Sequence, residues 1–356
     1  MAERVQGRGR DRSEPADGAA LKSSSSPSNA KSTAVSPVDA EHRSAKTRGG
    51  ARGGGKTSGA GIKASKTLKP AARAQPVFDK KTIALVYDFD GTLSPRPMQE
   101  YSFLPQLGID PKEFWAECGR VAKAQAADPL ITYMHLMYKK AKEKGLKIDR
   151  ADLVAQGASV ELYSGVLEWF DEMAAYIDLR AESHGVALRH YLVSSGLTEI
   201  VEGTPIYRHF HNVFASEYWF EPYETPFPKR VITDTGKTQY LFRINKGIED
   251  LGESINAHMP EAARPIPFSN MIYFGDGDTD VPSMALMKKS GGHAIAVHAP
   301  DEPATKCVDL FAAGRVDFFA PADYRRGSAL FKRTCLLLDR MLADIAVREE
   351  MWRLGE

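Results

Sequence analysis

The segment Lys81–Thr92 reads KTIALVYDFDGT and joins an apolar, β-branched run to two aspartates, a glycine and a threonine. The run shows no polar alternation and has the length of one strand, which is typical of a strand buried on both faces. Residues i and i+2 of an extended chain share one face, so the carboxylates of Asp88 and Asp90 are expected to point toward one pocket. Such a pair is unfavourable unless a cation neutralises it or one member holds a proton. An exposed turn rich in Asp and Gly is the alternative interpretation.

Two later apolar runs also end in polar residues. Residues 188–195 (LRHYLVSS) close on Gly196, and residues 270–275 (NMIYFG) precede three acids in the sequence DGDTD at 276–280. Carboxylate oxygens suit a hard cation, Mg²⁺ above all. A calcium-binding EF-hand is excluded because a strand-like run precedes the acids and the required Gly and Glu spacing is absent. In a parallel sheet the chemistry collects at the carboxyl ends of the strands, where these polar residues are expected to meet.

The remaining chain alternates short apolar runs with amphipathic segments. Helices are predicted over residues 164–183, 240–255 and 328–352, short strands over 212–216, 293–298 and 316–320, and a hairpin extension within 218–238. This alternation predicts an α/β fold, a Rossmann-like parallel sheet with helices on both faces.

The region after the first motif has a different pattern. Residues 111–127, 130–144 and 149–156 are predicted as helices, and no strand-like run interrupts them. We therefore expect residues 95–157 to form an inserted helical cap on a core made of residues 77–94 and 158–356. Its large apolar residues are expected to pack the cap rather than to contact a ligand: Phe103, Phe114, Trp115, Tyr133, Met134 and Met137.

The N-terminal segment differs in composition from the rest. The whole chain holds 47 Lys and Arg against 46 Asp and Glu, but residues 1–76 hold 15 against 6 and are poor in Ile, Leu, Val and Phe. Such a segment buries too little apolar area to offset its ordering entropy. The sequence predicts a disordered basic tail over residues 1–76, with a weak polyanion contact as its functional alternative.

Several protein classes are disfavoured. No apolar run approaches the roughly 18–20 residues that span a bilayer, and the N-terminus lacks the apolar region of a secretory signal. The three cysteines, Cys118, Cys307 and Cys335, are far apart and show no metal-ligand spacing, which disfavours a disulfide framework and a zinc site. We expect a cytoplasmic protein with no membrane partner.

Two further side chains complete a candidate phosphate site. A hydroxyl donor and an ammonium are what a bound phosphate requires besides a metal, and Ser194 and a lysine offer them. Lys246 and Lys237 both remain candidates for the lysine.

The order of these motifs resembles the haloacid dehalogenase superfamily. DFDGT at 88–92, a strand-terminal Ser194, a lysine, and GDGDTD at 275–280 follow one another as that superfamily's four motifs do, within residues 80–325. The chain between the first motif and Ser194 is long enough to hold a helical cap. This spacing and the hairpin-like stretch at 214–239 are similar to those of the phosphoserine-phosphatase-like branch, whose cap is helical. Lys246 is preferred because a glycine and an apolar helix follow it, as in the family.

The resemblance implies a role for each motif residue. Asp88 would be the nucleophile that forms an aspartyl-phosphate, and Asp90 the general acid and base. Ser194 and backbone N–H groups around Gly91 and Gly196 would bind the phosphoryl oxygens. Lys246 would offset the negative charge near the phosphate. The Asp88 side chain, the Asp90 carbonyl and Asp276 would hold Mg²⁺. Asp280 would orient a metal-bound water or the lysine.

The function these roles imply is Mg²⁺-dependent hydrolysis of a small phosphate monoester. The acid at Asp90 favours phosphoester hydrolysis, because a leaving alkoxide needs a proton. A phosphotransferase or phosphomutase with the same intermediate is one alternative, and a catalytically minor polyanion-binding protein is another. Specificity would reside in the cap and in the loop after the first motif, where Arg96 or Glu100 could meet a charged group of the substrate.

Overall fold

The computed structural model describes residues 77–181, 185–220 and 226–355. The predicted tail, residues 1–76, lies outside the described residues, so the predictions of disorder and of a polyanion contact stay predictions. Within the described ranges, no helix combines the length and the hydropathy that crossing a membrane requires.

A seven-stranded sheet forms the centre of the described region. Its strands are β1 (Thr82–Tyr87), β2 (Ala187–Leu197), β3 (Asn212–Trp219), β4 (Phe227–Arg230), β5 (Met271–Gly275), β6 (His293–His298) and β7 (Phe318–Pro321). Their order is β4-β3-β2-β1-β5-β6-β7, and every pairing is parallel except that of β3 with β4. The continuous apolar run of β1 fits its central place, since Ile83 to Tyr87 are fully buried.

Helices connect the strands. They are α1 (Phe103–Leu107), α2 (Pro111–Gln125), α3 (Pro129–Glu143), α4 (Arg150–Gln156), α5 (Val166–Ala181), α6 (Thr198–Glu202), α7 (Lys237–Lys246), α8 (Val281–Lys289), α9 (Thr305–Ala312) and α10 (Ala329–Gly355). Aspartate caps begin the helices of the inserted segment: Asp110, Asp128 and Asp149 accept hydrogen bonds from backbone N–H groups of the first turns of α2, α3 and α4.

Both faces of the sheet are covered by helices. Ile83, Leu85 and Tyr87 of β1 pack in one apolar cluster with residues of α5 and α10. Ala84 and Val86, which point the other way, pack in a second cluster with residues of α7, α8 and α9. This three-layer arrangement confirms the predicted Rossmann-like α/β class.

The structure agrees with the predicted elements of the insertion and differs at one helix. Helices α1–α4 follow β1 as expected, and the described part of residues 95–157 contains no strand. The helix expected over residues 240–255 instead begins at Lys237 and ends at Lys246. Gly247 ends it in a left-handed conformation, with φ 65° and its N–H bonded to the Arg243 and Ile244 carbonyls.

Candidate active site

Asp88 and Asp90 lie at the carboxyl end of β1. The backbone N–H of Asp88 donates to the Phe274 carbonyl at 2.9 Å, which continues the pairing of β1 with β5 by one residue. The Asp88 side chain is 5% exposed. Asp90 is half-buried, and its Oδ1 accepts a hydrogen bond from the Met98 N–H at 2.9 Å. The first motif is therefore at the edge of the sheet, as its strand position predicts.

Gly91 brings the backbone of this motif against Asp276. Its φ is +77°, and a Cβ built at this position would lie 2.4 Å from the Asp276 Oδ2. A side chain here would be both strained and in contact with a carboxylate. Only glycine lets the tips of β1 and β5 approach this closely.

Asp280 is fully buried, and both of its carboxylate oxygens accept hydrogen bonds. Its Oδ1 accepts from the Lys237 ammonium at 2.7 Å and from the Tyr273 hydroxyl at 2.6 Å. Its Oδ2 accepts from the Asp276 N–H at 3.1 Å. Asp280 thus positions its neighbours, while the Asp276 carboxylate remains directed at the first motif.

Lys237 supplies the ammonium of the site. It is fully buried, and its Nζ lies 3.0 Å from Asp88 Oδ1 and 2.7 Å from Asp280 Oδ1. It is the first residue of α7, the helix that returns from the carboxyl edge of the sheet toward the start of β5.

The preference for Lys246 is wrong. Lys246 is the last residue of α7, so it lies about 14 Å along the helix from Lys237. Its ammonium donates to the carbonyls of Ile255 at 2.6 Å and Ala257 at 2.9 Å, in the loop after the helix. Lys237, which also remained a candidate, takes the place between the carboxylates.

Ser194 and Gly196 lie at the end of β2, the strand next to β1. Ser194 is 1% exposed, and its Oγ accepts the Gly196 N–H at 3.0 Å, so its own proton is available to a ligand. The Gly91 N–H donates to the Ser94 carbonyl at 2.7 Å. Both predicted glycine N–H groups are therefore engaged within the protein, and the Ser194 hydroxyl is the group left to donate.

The electrostatics of the cluster are dominated by buried acids. Burial, and then the charge of Asp280, raise the pKa of Asp88 to about 7 against the opposing effect of Lys237. The same two causes raise the pKa of Asp276 to about 8. Burial and the charge of Asp88 hold the pKa of Asp90 well above its usual range. Carboxylates therefore outnumber the one ammonium among them, and the site is short of positive charge.

A divalent cation fits this arrangement. Asp88, Asp276 and Asp280 each offer a carboxylate oxygen, and the three oxygens lie within 4.8 Å of one another. Because Asp280 already accepts from three donors, Asp88 and Asp276 are the side chains with oxygens left for a metal. Such an all-oxygen donor set suits Mg²⁺.

The sequence prediction missed Tyr273. Its hydroxyl donates to Asp280, although it stands in an apolar run where it is expected only to pack. No local pattern separates it from Phe274 beside it. The feature that distinguishes Lys237 from Lys246 is its position at the start of α7, at the carboxyl edge of the sheet.

The chain is similar to several known proteins. The chain is 29% identical over 275 residues to an uncharacterized protein of Borreliella burgdorferi, which covers 70% of this chain and 94% of that protein. It is also similar to the structure of a probable phosphoserine phosphatase from Vibrio cholerae, with 14% identity, 77% of this chain and 68% of that chain covered, and a TM-score of 0.46. A phosphoserine phosphatase in apo form gives 13% identity, 69% and 95% coverage, and a TM-score of 0.44.

The family itself is shown by a match over more than half of the chain. The model of the haloacid dehalogenase-like hydrolases matches residues 85–285, which run from β1 through α8 and include every motif described above. The chain belongs to the haloacid dehalogenase-like hydrolase family.

Proposed function

We propose that this protein is a Mg²⁺-dependent phosphatase that hydrolyses a small phosphate monoester through an aspartyl-phosphate on Asp88. The observation that supports it best is the contact of a buried lysine with two buried aspartates at the tips of β1 and β5. A carboxylate, an ammonium and a second acid two residues away are the groups that covalent phosphoryl transfer requires.

The first step forms the covalent intermediate. A carboxylate oxygen of Asp88 attacks phosphorus, and the bond from phosphorus to the ester oxygen breaks. Asp90 donates its proton to that oxygen, so the product leaves as an alcohol. The raised pKa of Asp90 favours its protonated form, which this task requires, and the Lys237 ammonium at 3.0 Å favours the ionised form of Asp88.

The second step returns the enzyme to its starting form. Asp90, now ionised, takes a proton from a water molecule, and the oxygen of that water attacks phosphorus. The bond between phosphorus and the Asp88 oxygen breaks, and inorganic phosphate leaves. Each residue ends in the protonation state in which it began.

The other groups bind and position. The Ser194 hydroxyl would donate to a phosphoryl oxygen, since its lone pair already accepts the Gly196 N–H. Asp280 would hold the Lys237 ammonium toward Asp88. Asp88, the Asp90 carbonyl and Asp276 would hold Mg²⁺, which when bound offsets the charge of the phosphoryl group.

Residues 95–157 would serve as a cap over this site, on a core of residues 77–94 and 158–356. The contacts that support this division join the insertion to the strand tips. Tyr133 Oη of α3 donates to the Ser195 carbonyl at 3.0 Å, and the Met98 N–H donates to Asp90.

The test is a panel of phosphate monoesters assayed with the wild type and with Asp88→Asn, each with Mg²⁺ and with a chelator. We expect the wild type to release phosphate only with Mg²⁺, and Asp88→Asn to lose at least about a thousand-fold in kcat, because it lacks the nucleophile. Equal rates for the two proteins would contradict the role of Asp88. Transfer of phosphate to a second alcohol instead of water would point to a phosphotransferase.

A further inference from the structure

A cavity of about 200 Å³ opens beside Asp90, and Asp88, Asp276 and Asp280 are not among the residues that line it. Its floor is formed by Asp90, Ser195 and Gly196 at the tips of β1 and β2, and its walls come from the inserted helical segment. Since Asp90 is the proposed donor of a proton to the leaving oxygen, the alcohol part of the substrate has to extend from Asp90 into this cavity.

The walls of the cavity are apolar. The indole N–H of Trp115 donates to Glu100 Oε1 at 2.7 Å, and the Tyr133 hydroxyl donates to the Ser195 carbonyl. The two rings lie edge to face at 5.8 Å between centroids. Because the polar ends of both side chains are engaged within the protein, their rings present apolar surface to the cavity, together with Pro97 and Leu130.

No cation lines the cavity. Among the described residues that form it, none is Lys, Arg or His. Arg96 of the adjoining loop is engaged elsewhere, with its guanidinium 4.3 Å over the Tyr101 ring and 3.6 Å from Glu161 Oε2. A carboxylate or second phosphate on the leaving group would lose water here without gaining an ionic partner.

One polar group in the wall has no partner. Gln99 is 2% exposed and lines the cavity, and its Oε1 accepts no hydrogen bond from any residue the structure describes. That Oε1 is itself enclosed and presents almost no surface to the cavity, so Gln99 adds neither a charge nor an accessible acceptor to the wall.

We infer that the leaving group of the substrate is an uncharged and largely apolar alcohol. This inference rests on the proposed function. An apolar cavity of about 150 Å³ holds a benzene molecule, so the space beside Asp90 fits a six-membered ring or an alkyl chain of similar bulk. Trp115 and Tyr133, which the sequence predicts to pack the cap, would then also contact the substrate.

Four matched substrates test the inference: benzyl phosphate and its 4-hydroxymethyl, 4-carboxy and 4-aminomethyl derivatives. We expect kcat/KM to be highest for the two uncharged compounds, benzyl phosphate and its hydroxymethyl derivative, and at least about tenfold higher than for the carboxy compound, whose charge stays unpaired. Acetyl phosphate, whose leaving group is too small to fill the cavity, serves as the reference for the chemistry.

The outcomes separate the two proposals. A preference for the carboxy or the aminomethyl compound over benzyl phosphate would overturn the inference and leave the phosphatase standing. Failure of the wild type to release phosphate from any of the five compounds would overturn the proposed function, and the inference with it.

Discussion

Lys237 is the side chain on which the charge balance of the site depends. Among the residues described, it is the only ammonium that contacts Asp88 or Asp280, and both of these partners are themselves buried. Burial alone would lower the pKa of a lysine, but the charges of Asp280 and Asp88 together raise it above its ordinary value. The charged form of Lys237 is therefore favoured despite its burial.

The two lysines of α7 make a matched pair for mutation. Lys237→Met should lower kcat/KM by roughly 10²–10³-fold, because a charge that stabilises the transition state is removed. Lys246→Met removes an ammonium that binds only loop carbonyls, so activity should be nearly unchanged. Steady-state rates on one phosphate ester suffice for the comparison, and similar losses in both variants would argue against the placement of Lys237.

Gly91 and Gly108 form a second matched pair. Both have positive φ, but a Cβ at Gly108 meets nothing within 4 Å, whereas one at Gly91 meets Asp276. Gly108→Ala should therefore lower the free energy of unfolding by about 1–2 kcal/mol and leave activity intact. Gly91→Ala should in addition raise the Mg²⁺ concentration needed for half-maximal activity, as a titration would show. Equal Mg²⁺ requirements in the two variants would contradict the close approach.

At this scale the sequence predicted the acids as site residues and left the lysine open, with Lys246 preferred over Lys237. Asp88, Asp90, Asp276 and Asp280 all stand within five residues of the end of a buried strand, where position along the chain determines position in space. The choice between the two lysines depends on which end of a helix faces the sheet edge, and the helix start was predicted three residues too late.

Among the elements, the tips of β1, β2 and β5 determine where the chemistry occurs. They are neighbours in the sheet and run parallel, so the residues that follow them meet at one edge. Helix α6, which directly continues β2, adds a buried acid at this edge. Glu199 accepts the Tyr218 N–H at 2.9 Å, but its Oε2 has no partner within the described ranges.

Glu199 should make stability depend on pH. Burial raises its pKa to about 7, with Glu217 adding to the shift and Arg150 opposing it. The folded protein then keeps a proton that the unfolded chain has released, so the free energy of unfolding falls as pH rises from about 4.5 through about 7.

Glu199→Gln should flatten this dependence. The free energy of unfolding of the wild type should fall by on the order of 1–3 kcal/mol more than that of the variant between about pH 5 and about pH 8, because an amide cannot ionise. Urea unfolding at the two pH values measures it. If the wild type and the variant lose stability in parallel, the buried acid does not titrate in this range.

The order of elements was predictable from the sequence, whereas some of their ends were not. Continuous apolar runs identified β1 and β5, and aspartate followed by proline located the start of α3. The end of α7 was missed because Gly247 and the loop bonds of Arg243 compete with a helical pattern that continues in the sequence.

At the scale of the whole described region, the sheet with its two helical layers holds the acids and the inserted segment adds an apolar side to the site. The carboxylates lie at the tips of β1 and β5, and the aromatic residues near Asp90 come from α2 and α3. In the proposed function, this division separates phosphoryl transfer from recognition of the leaving alcohol. The inserted helices were predictable, but the cavity between them and Asp90 depends on packing that periodicity does not encode.

The covalent step itself can be observed directly. The wild-type protein would be mixed with a phosphate ester it hydrolyses, in the presence of Mg²⁺, quenched in acid within the first turnover, digested and analysed by mass spectrometry. We predict one acid-stable phosphoryl group on the peptide that contains Asp88, and none when hydroxylamine is added before digestion. Alcohol release in the same samples with no phosphorylated peptide, or with the label on another residue, would contradict nucleophilic attack by Asp88.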